Sequence, residues 1–148
     1  MSRIFWDTNL FIYMLEARGD LARKTKALMK RMDERGDVLL TSALTLGEIL
    51  VKPRRFGRLD LVRRYEQALR PPAVTVINFD EDCARIYAEV RQDKTIKAPD
   101  AVQLSCCGRA GCDMFVTNDE RLSRKVMPGV QFIASLDRAL LFTGAESR

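Results

Sequence analysis

The chain has 148 residues, 47% of them hydrophobic and 30% charged, the composition of a folded globular domain and not of a disordered or low-complexity segment. With 25 Lys and Arg against 20 Asp and Glu the formal net charge is +5, which favours anionic partners without specifying nucleic acid. No apolar run reaches bilayer length and no secretory pattern precedes the cysteines, so a cytoplasmic protein with reduced thiols and no membrane association is expected.

In chain order, Arg3–Trp6 reads as a strand and Leu10–Ala17 as a helix closed by Gly19. Leu21, Thr25, Leu28, Met29 and Met32 then recur at helical spacing through a basic segment, predicting an amphipathic helix that stops at Gly36. Val38–Thr41 is a second strand, and a helix from Ala43 is expected to end near Pro53, since proline lacks a donor and clashes with the preceding turn. Another helix fits Leu59–Leu69, with Val62, Tyr65 and Leu69 on one face and Pro71-Pro72 blocking its continuation.

The β-branched run in Val74–Phe79 predicts a third strand, followed by a helix over Cys83–Arg91 and a polar break at residues 92–97. Pro99 suits the first turn of a helix that runs to Ala110 and is closed by Gly111. Met114–Thr117 reads as a strand, Glu120–Lys125 as a short helix, Val130–Ile133 as the last strand and Leu136–Phe142 as the last helix. Strands alternating with helices predict an α/β fold: three α/β/α layers around a mainly parallel five-stranded sheet, in one domain over residues 1–148.

In such sheets ligands bind beyond the carboxyl ends of the strands. Three acids sit there: Asp7 after the first strand, Asp80 after the third and Asp119 after the fourth. Each also suits a helix N-cap. Asp80, followed by Glu81 and Asp82, reads as a cap with a negative first turn that complements the helix dipole. Asp7-Thr8-Asn9 and Thr117-Asn118-Asp119 pack three polar groups against a strand end, so capping and a functional site both remain open there.

Glu48 lies in the apolar stretch ALTLGEILV, where a carboxylate is costly unless exposed, paired or bound to metal. Thr45-x-x-Glu48 also matches a capping box, so that role stands beside a ligand role. Asp100 opens another largely apolar helix and fits either dipole complementarity or a site. Four acids converging on one edge would need a cation, and an all-oxygen set suits Mg²⁺ or Mn²⁺ better than zinc.

The chain has no histidine, which removes the usual general base of two-histidine ribonucleases, Ser-His-Asp hydrolases and Cys-His proteases. No glycine-rich phosphate loop occurs either, so nucleotide-binding folds of that kind are set aside. Cys83, Cys106, Cys107 and Cys112 lack zinc-ligand spacing and are expected as small buried hydrophobes. Lys52 to Arg70 carries seven basic and two acidic residues, and Arg54, Arg55 and Arg58 there are candidates for contact with an RNA backbone or a partner, against the alternative of a solvated face.

These residues resemble the PIN-domain family of metal-dependent ribonucleases, which includes VapC-type toxins of toxin–antitoxin pairs. The resemblance is carried, in order, by Phe5-Trp6-Asp7-Thr8-Asn9, by Thr41-Ser42 leading to Glu48, by Pro99-Asp100-Ala101 and by Val116-Thr117-Asn118-Asp119. It implies an Mg²⁺ or Mn²⁺ site of Asp7, Glu48, Asp100 and Asp119, supported by Asn9, Ser42, Thr117 and Asn118. It further implies endoribonuclease activity leaving a 5′-phosphate, an antitoxin partner and a homodimer. Ser105-Cys106-Cys107, where the family is usually alanine-rich, and the arginine-rich 52–70 segment depart from the common pattern. Competing readings are a non-catalytic RNA-binding or scaffold domain of the same fold, and an aspartyl-nucleophile phosphohydrolase, which normally needs Asp where Asn9 stands.

Overall fold

Arg3–Trp6 forms strand β1, and its alternating side chains enter two separate cores: Ile4 and Trp6 on one face, Phe5 on the other. The computed structural model describes residues 1–16, 18–127 and 129–145. Within them β1 is the centre of a five-stranded sheet with β2 (Val38–Ser42), β3 (Thr75–Ile77), β4 (Met114–Val116) and β5 (Phe132–Ala134). The order is β3-β2-β1-β4-β5 and every pairing is parallel, so the sheet is wholly and not mainly parallel.

A parallel sheet needs cover on both faces. Helices α1 (Thr8–Leu15), α2 (Asp20–Arg35), α3 (Ala43–Arg55), α4 (Leu59–Ala68) and α7 (Leu136–Ala145) supply one core, through Leu10, Leu28, Ile49, Tyr65 and Leu136 among others. Helices α5 (Glu81–Val90) and α6 (Ala98–Ala110) supply the other. At its centre Phe5 pairs in register with Leu40 and Phe115, and the two phenyl rings stack at 5.2 Å. Burying one such side chain contributes about 1.5–3 kcal/mol. All four cysteines are free and buried, as expected.

Several boundaries differ from the sequence reading. Helix α1 begins at Thr8 because Asp7 caps it; the predicted end at Ala17 lies outside the described residues. Helix α3 does not stop at Pro53 but carries it, buried, in its last turn, and the backbone N–H groups of Phe56 and Arg58 take up the carbonyls of Lys52 and Pro53. Only three residues of Val74–Phe79 pair with β2, so the edge strand is short. The predicted helix over 120–125 is one 3-10 turn, Leu122–Arg124, and β5 is displaced toward Ala134, which pairs with Val116. Helix α7 runs to Ala145, beyond the expected Phe142.

Asp80 caps α5, as read, by accepting from the Cys83 N–H at 2.9 Å. Gly111 closes α6 at φ 66°, a left-handed backbone that suits glycine, and so limits the helix that carries Asp100. Among the described residues no helix is long and apolar enough to cross a membrane.

Candidate active site

The chain runs outward from β1 through β2 to β3, then crosses back to the other side of β1 as β4 and β5. The direction therefore reverses between β1 and β4, and the crevice beyond their carboxyl ends is the natural ligand position of an open α/β sheet. Asp7 leaves β1 and Thr117-Asn118-Asp119 leaves β4 at that crevice.

The Asp7 N–H extends the ladder by donating to the Val116 carbonyl at 3.0 Å. Its side chain then takes two bonds: Oδ1 accepts from the Thr8 N–H at 2.8 Å and Oδ2 from the Thr117 hydroxyl at 2.9 Å. The buried Thr117 oxygen also accepts from the Asp119 N–H at 3.1 Å, joining the two strand ends. Asp119 in turn opens the 3-10 turn, its Oδ1 accepting from the N–H groups of Arg121 at 3.0 Å and Leu122 at 3.3 Å. Capping is thus real at both ends, and it fixes the carboxylates in place.

Glu48 does not form the capping box. Helix α3 starts at Ala43, Thr45 lies within it, and Glu48 is instead exposed, with Oε1 accepting from the Thr8 hydroxyl at 2.8 Å. Asp100 is in the first turn of α6.

Electrostatics ties the four acids together. Burial raises the Asp7 carboxyl to about 6 against the bonds from Thr117 and Thr8, and the charges of Asp100 and Glu48 add to the rise. Asp100 is raised by burial, then by Asp119 and Glu48, with Lys97 and Arg121 opposing. A carboxylate held in this surrounding gains from any cation placed near it. Among the described residues, however, no group of three or more acidic or thiol side chains is already arranged to hold a metal ion. The donor set still fits Mg²⁺ or Mn²⁺, since such ions bind oxygen, keep several waters and use one or two carboxylates directly.

Behind the acids lies a buried polar network that the sequence reading missed. Gln103 on α6 donates from Nε2 to the Thr8 hydroxyl at 3.0 Å and the Thr45 hydroxyl at 2.7 Å, while its Oε1 accepts from the Ser42 hydroxyl. The Thr41 hydroxyl reaches the Trp6 carbonyl at 3.0 Å and Thr45 Oγ1 at 2.8 Å. Thr8 passes this network to Glu48. A signal was present: Gln103 stands one helical turn after Asp100 inside an apolar run, where a polar side chain needs partners.

The remaining predicted residues divide. Ser42 is buried and belongs to the network, while Asn9 is exposed on the first turn of α1. Asn118 donates to the Tyr13 hydroxyl at 3.2 Å, bracing the β4 end against α1. Arg54 and Arg55 are exposed at the end of α3, and Arg58, exposed just before α4, forks onto Asp60 at 3.1 and 3.0 Å. Arg55 and Lys52 line a cavity of about 340 Å³ that also touches Glu48, Glu16 and Tyr65. Tyr65 is core, as its place on one face of its helix predicts, whereas Phe56, the residue after the last turn of α3, is 73% exposed.

A family model for the PIN domain matches residues 4–126. Among curated proteins, no sequence matches significantly. The fold is similar to a toxin–antitoxin complex from Klebsiella pneumoniae (22% identity, TM-score 0.64, covering 86% of this chain and 94% of that one). It is also similar to VapBC2 from Rickettsia felis bound to a promoter DNA fragment (16% identity, TM-score 0.67, 90% and 98%). DNA-bound VapBC from Salmonella typhimurium is a third (19% identity, TM-score 0.64, 92% and 99%).

Proposed function

Because the chain belongs to the PIN domain family, we propose that it is a metal-dependent endoribonuclease and the toxin of a toxin–antitoxin pair. The observation that carries the catalytic part is Asp7: a half-buried carboxyl, raised to about 6, yet oriented by two hydrogen bonds and faced by other acids. That arrangement is costly without a cation and useful with one.

In this reading Asp7, Asp100 and Asp119 hold Mg²⁺ or Mn²⁺, directly or through water, and Glu48 ligates or orients the attacking water. The bound ion supplies charge relief on the phosphoryl oxygens and an activated water nucleophile. The chain's own residues do the positioning. Thr117 and the Thr8 N–H aim Asp7, the Thr8 hydroxyl aims Glu48, and the Gln103 network, with Ser42, keeps Thr8 in register. Asn9 and Asn118 give polar support at the rim.

The antitoxin rests on the similar solved structures, which are described as toxin–antitoxin or VapBC assemblies. We place contact with RNA or that partner on Arg54, Arg55 and Arg58, and propose that residues 1–148 act in the cytoplasm as one domain, paired as a homodimer. A second reading, an RNA-binding domain without catalysis, has one observation on its side: no three carboxylates stand ready around one point among the described residues.

RNA cleavage by the purified protein in Mg²⁺, Mn²⁺ or EDTA, beside Asp7→Asn and Asp100→Asn, separates the two. Metal-dependent cleavage lost by 100-fold or more in both variants is expected, the scale typical of removing an electrostatic catalytic group. Cleavage that persists in EDTA or in both variants rejects the metal-carboxylate site. Metal-dependent RNA binding with no cleavage supports the non-catalytic domain.

A further inference from the structure

A second cavity of about 340 Å³ lies beside the acids. Asp100 and Asp119 form one wall, and the buried side chains of Ile96 and Leu122 line it. Its size is that of sites that take small ligands or a piece of a larger one. The rest of its rim is cationic: Lys97, Arg121, Arg124 and Lys125.

These cations differ in what they do. Lys125 is spent on structure, its Nζ reaching Asp93 at 2.8 Å and the Thr95 hydroxyl at 3.0 Å, which pins the loop before α6 to the 3-10 turn. Lys97, Arg121 and Arg124 are exposed, and none of the three forms an ion pair with a described residue. Lys97 and Arg121 do lie near enough to Asp100 to oppose the rise that burial imposes on it. Three unspent cations around a preformed cavity that shares a wall with a carboxylate cluster make a place for an anion beside the cluster, not upon it. The apolar lining suits a sugar or base carried with that anion.

We infer that this cavity seats the RNA phosphate next to the scissile one, held by Lys97, Arg121 and Arg124. The inference rests on the nuclease reading for what lies at the acids, and it routes the strand along the α6 and 3-10 side of the crevice. An acidic protein segment is the competing occupant. The apolar lining by Ile96 and Leu122, which suits a base or sugar and offers nothing to a run of acidic side chains, favours the nucleic acid.

The test is binding of a fluorescent single-stranded RNA of mixed sequence to the full chain in EDTA, followed by anisotropy across a salt series. The Lys97→Gln, Arg121→Gln, Arg124→Gln triple variant is compared with Lys26→Gln, Lys30→Gln, Arg138→Gln, a matched loss of three exposed charges on α2 and α7. The first set is expected to weaken binding roughly tenfold and to flatten the salt slope by about 0.7, the value for one phosphate contact, while the second leaves the slope unchanged. Conserving the charge with Arg121→Lys in an otherwise wild-type chain should keep most of the slope, and thermal melts of all variants report folding.

Equal affinity and slope for the two triple variants would overturn the inference while leaving the nuclease reading intact. Displacement of the RNA by polyglutamate as readily as by polyphosphate would overturn it in favour of an acidic protein. A wild-type chain that binds no RNA in EDTA would overturn the inference, and one that neither binds nor cleaves RNA in Mg²⁺ or Mn²⁺ would overturn both. Binding that behaves as expected without any cleavage in Mg²⁺ or Mn²⁺ keeps a phosphate seat beside Asp100 and Asp119 but overturns its placement next to a scissile phosphate, together with catalysis.

Discussion

The Thr117 hydroxyl donates to Asp7 Oδ2 at 2.9 Å and in the same position accepts the Asp119 N–H, so one buried oxygen sets both the β1 and the β4 acid. Thr117→Val keeps the volume and removes that oxygen. Asp7 then loses one of the two bonds that favour its charged form, and the Asp119 N–H loses an acceptor. The expected results are a carboxyl pushed above its present value of about 6, read by NMR titration, and a loss of about 1–3 kcal/mol in chemical unfolding. An unchanged Asp7 titration would show that the bond contributes little.

Asp7 also predicts how stability depends on pH. Its folded value is about 6 against an ordinary 3.8, so the folded chain binds this proton more tightly than the unfolded chain does. Its contribution is therefore most favourable below 3.8 and is lost as pH rises from 3.8 to about 6, on the order of 3 kcal/mol. Asp60 and Asp93, both lowered to about 2 by Arg58 and Lys125, act in the opposite sense at lower pH, so the difference between wild type and Asp7→Asn is the quantity to measure. In EDTA at pH 7, Asp7→Asn should melt higher than wild type; a lower melting temperature contradicts the assignment.

Metal addition should reverse that order. In the proposed site Mg²⁺ or Mn²⁺ at pH 7 stabilises the wild-type chain by mass action and Asp7→Asn much less. Melting curves at rising metal concentration check this without any RNA. Identical metal responses from the two proteins would remove Asp7 from the metal site.

Gln103 is predicted to matter for stability first and for cleavage through Glu48. Gln103→Leu strands the buried Ser42 hydroxyl, removes one donor each from Thr8 and Thr45, and should cost about 1–3 kcal/mol in urea unfolding. Gln103→Glu should cost more, because it buries a carboxylate where two threonine oxygens need donors. If both variants unfold like wild type, the network does not hold α6 against β2.

A last prediction lies away from the site. Gly129 has φ +80°, and a Cβ built on it would stand 2.9 Å from the Gly108 carbonyl of α6, so two backbones meet there without side chains between them. Gly129→Ala combines an unfavourable backbone with that overlap and should lower stability by about 2 kcal/mol, measured by chemical unfolding.

Much of the molecule was readable along the chain because local chemistry is strong where it matters. The alternation in Arg3–Trp6, the capping acids, and the glycines after α2 and α6 act within a few residues, and the elements they mark are where the sequence reading put them. Pro53 shows where local reasoning stops. Proline disfavours a helix interior, but in the last turn its missing donor costs one bond, and burial of its ring offsets that loss. The short edge strand, the 3-10 turn and the displaced β5 were likewise decided by which residues find a pairing partner across the sheet.

The chemistry available is already written in the chain: no histidine, hard oxygen donors after two strands and on two helices, and a family pattern in the right order. How those groups meet follows from the fold. It turned Thr8, Thr117 and Gln103 into the holders of the acids, moved Thr45 from a cap to a buried network, and set three unspent cations beside Asp100 and Asp119. The physical reason is that a side chain's type is local, whereas its burial and partners come from strands and helices tens of residues away, and it is burial that gives a carboxyl or a hydroxyl its strength.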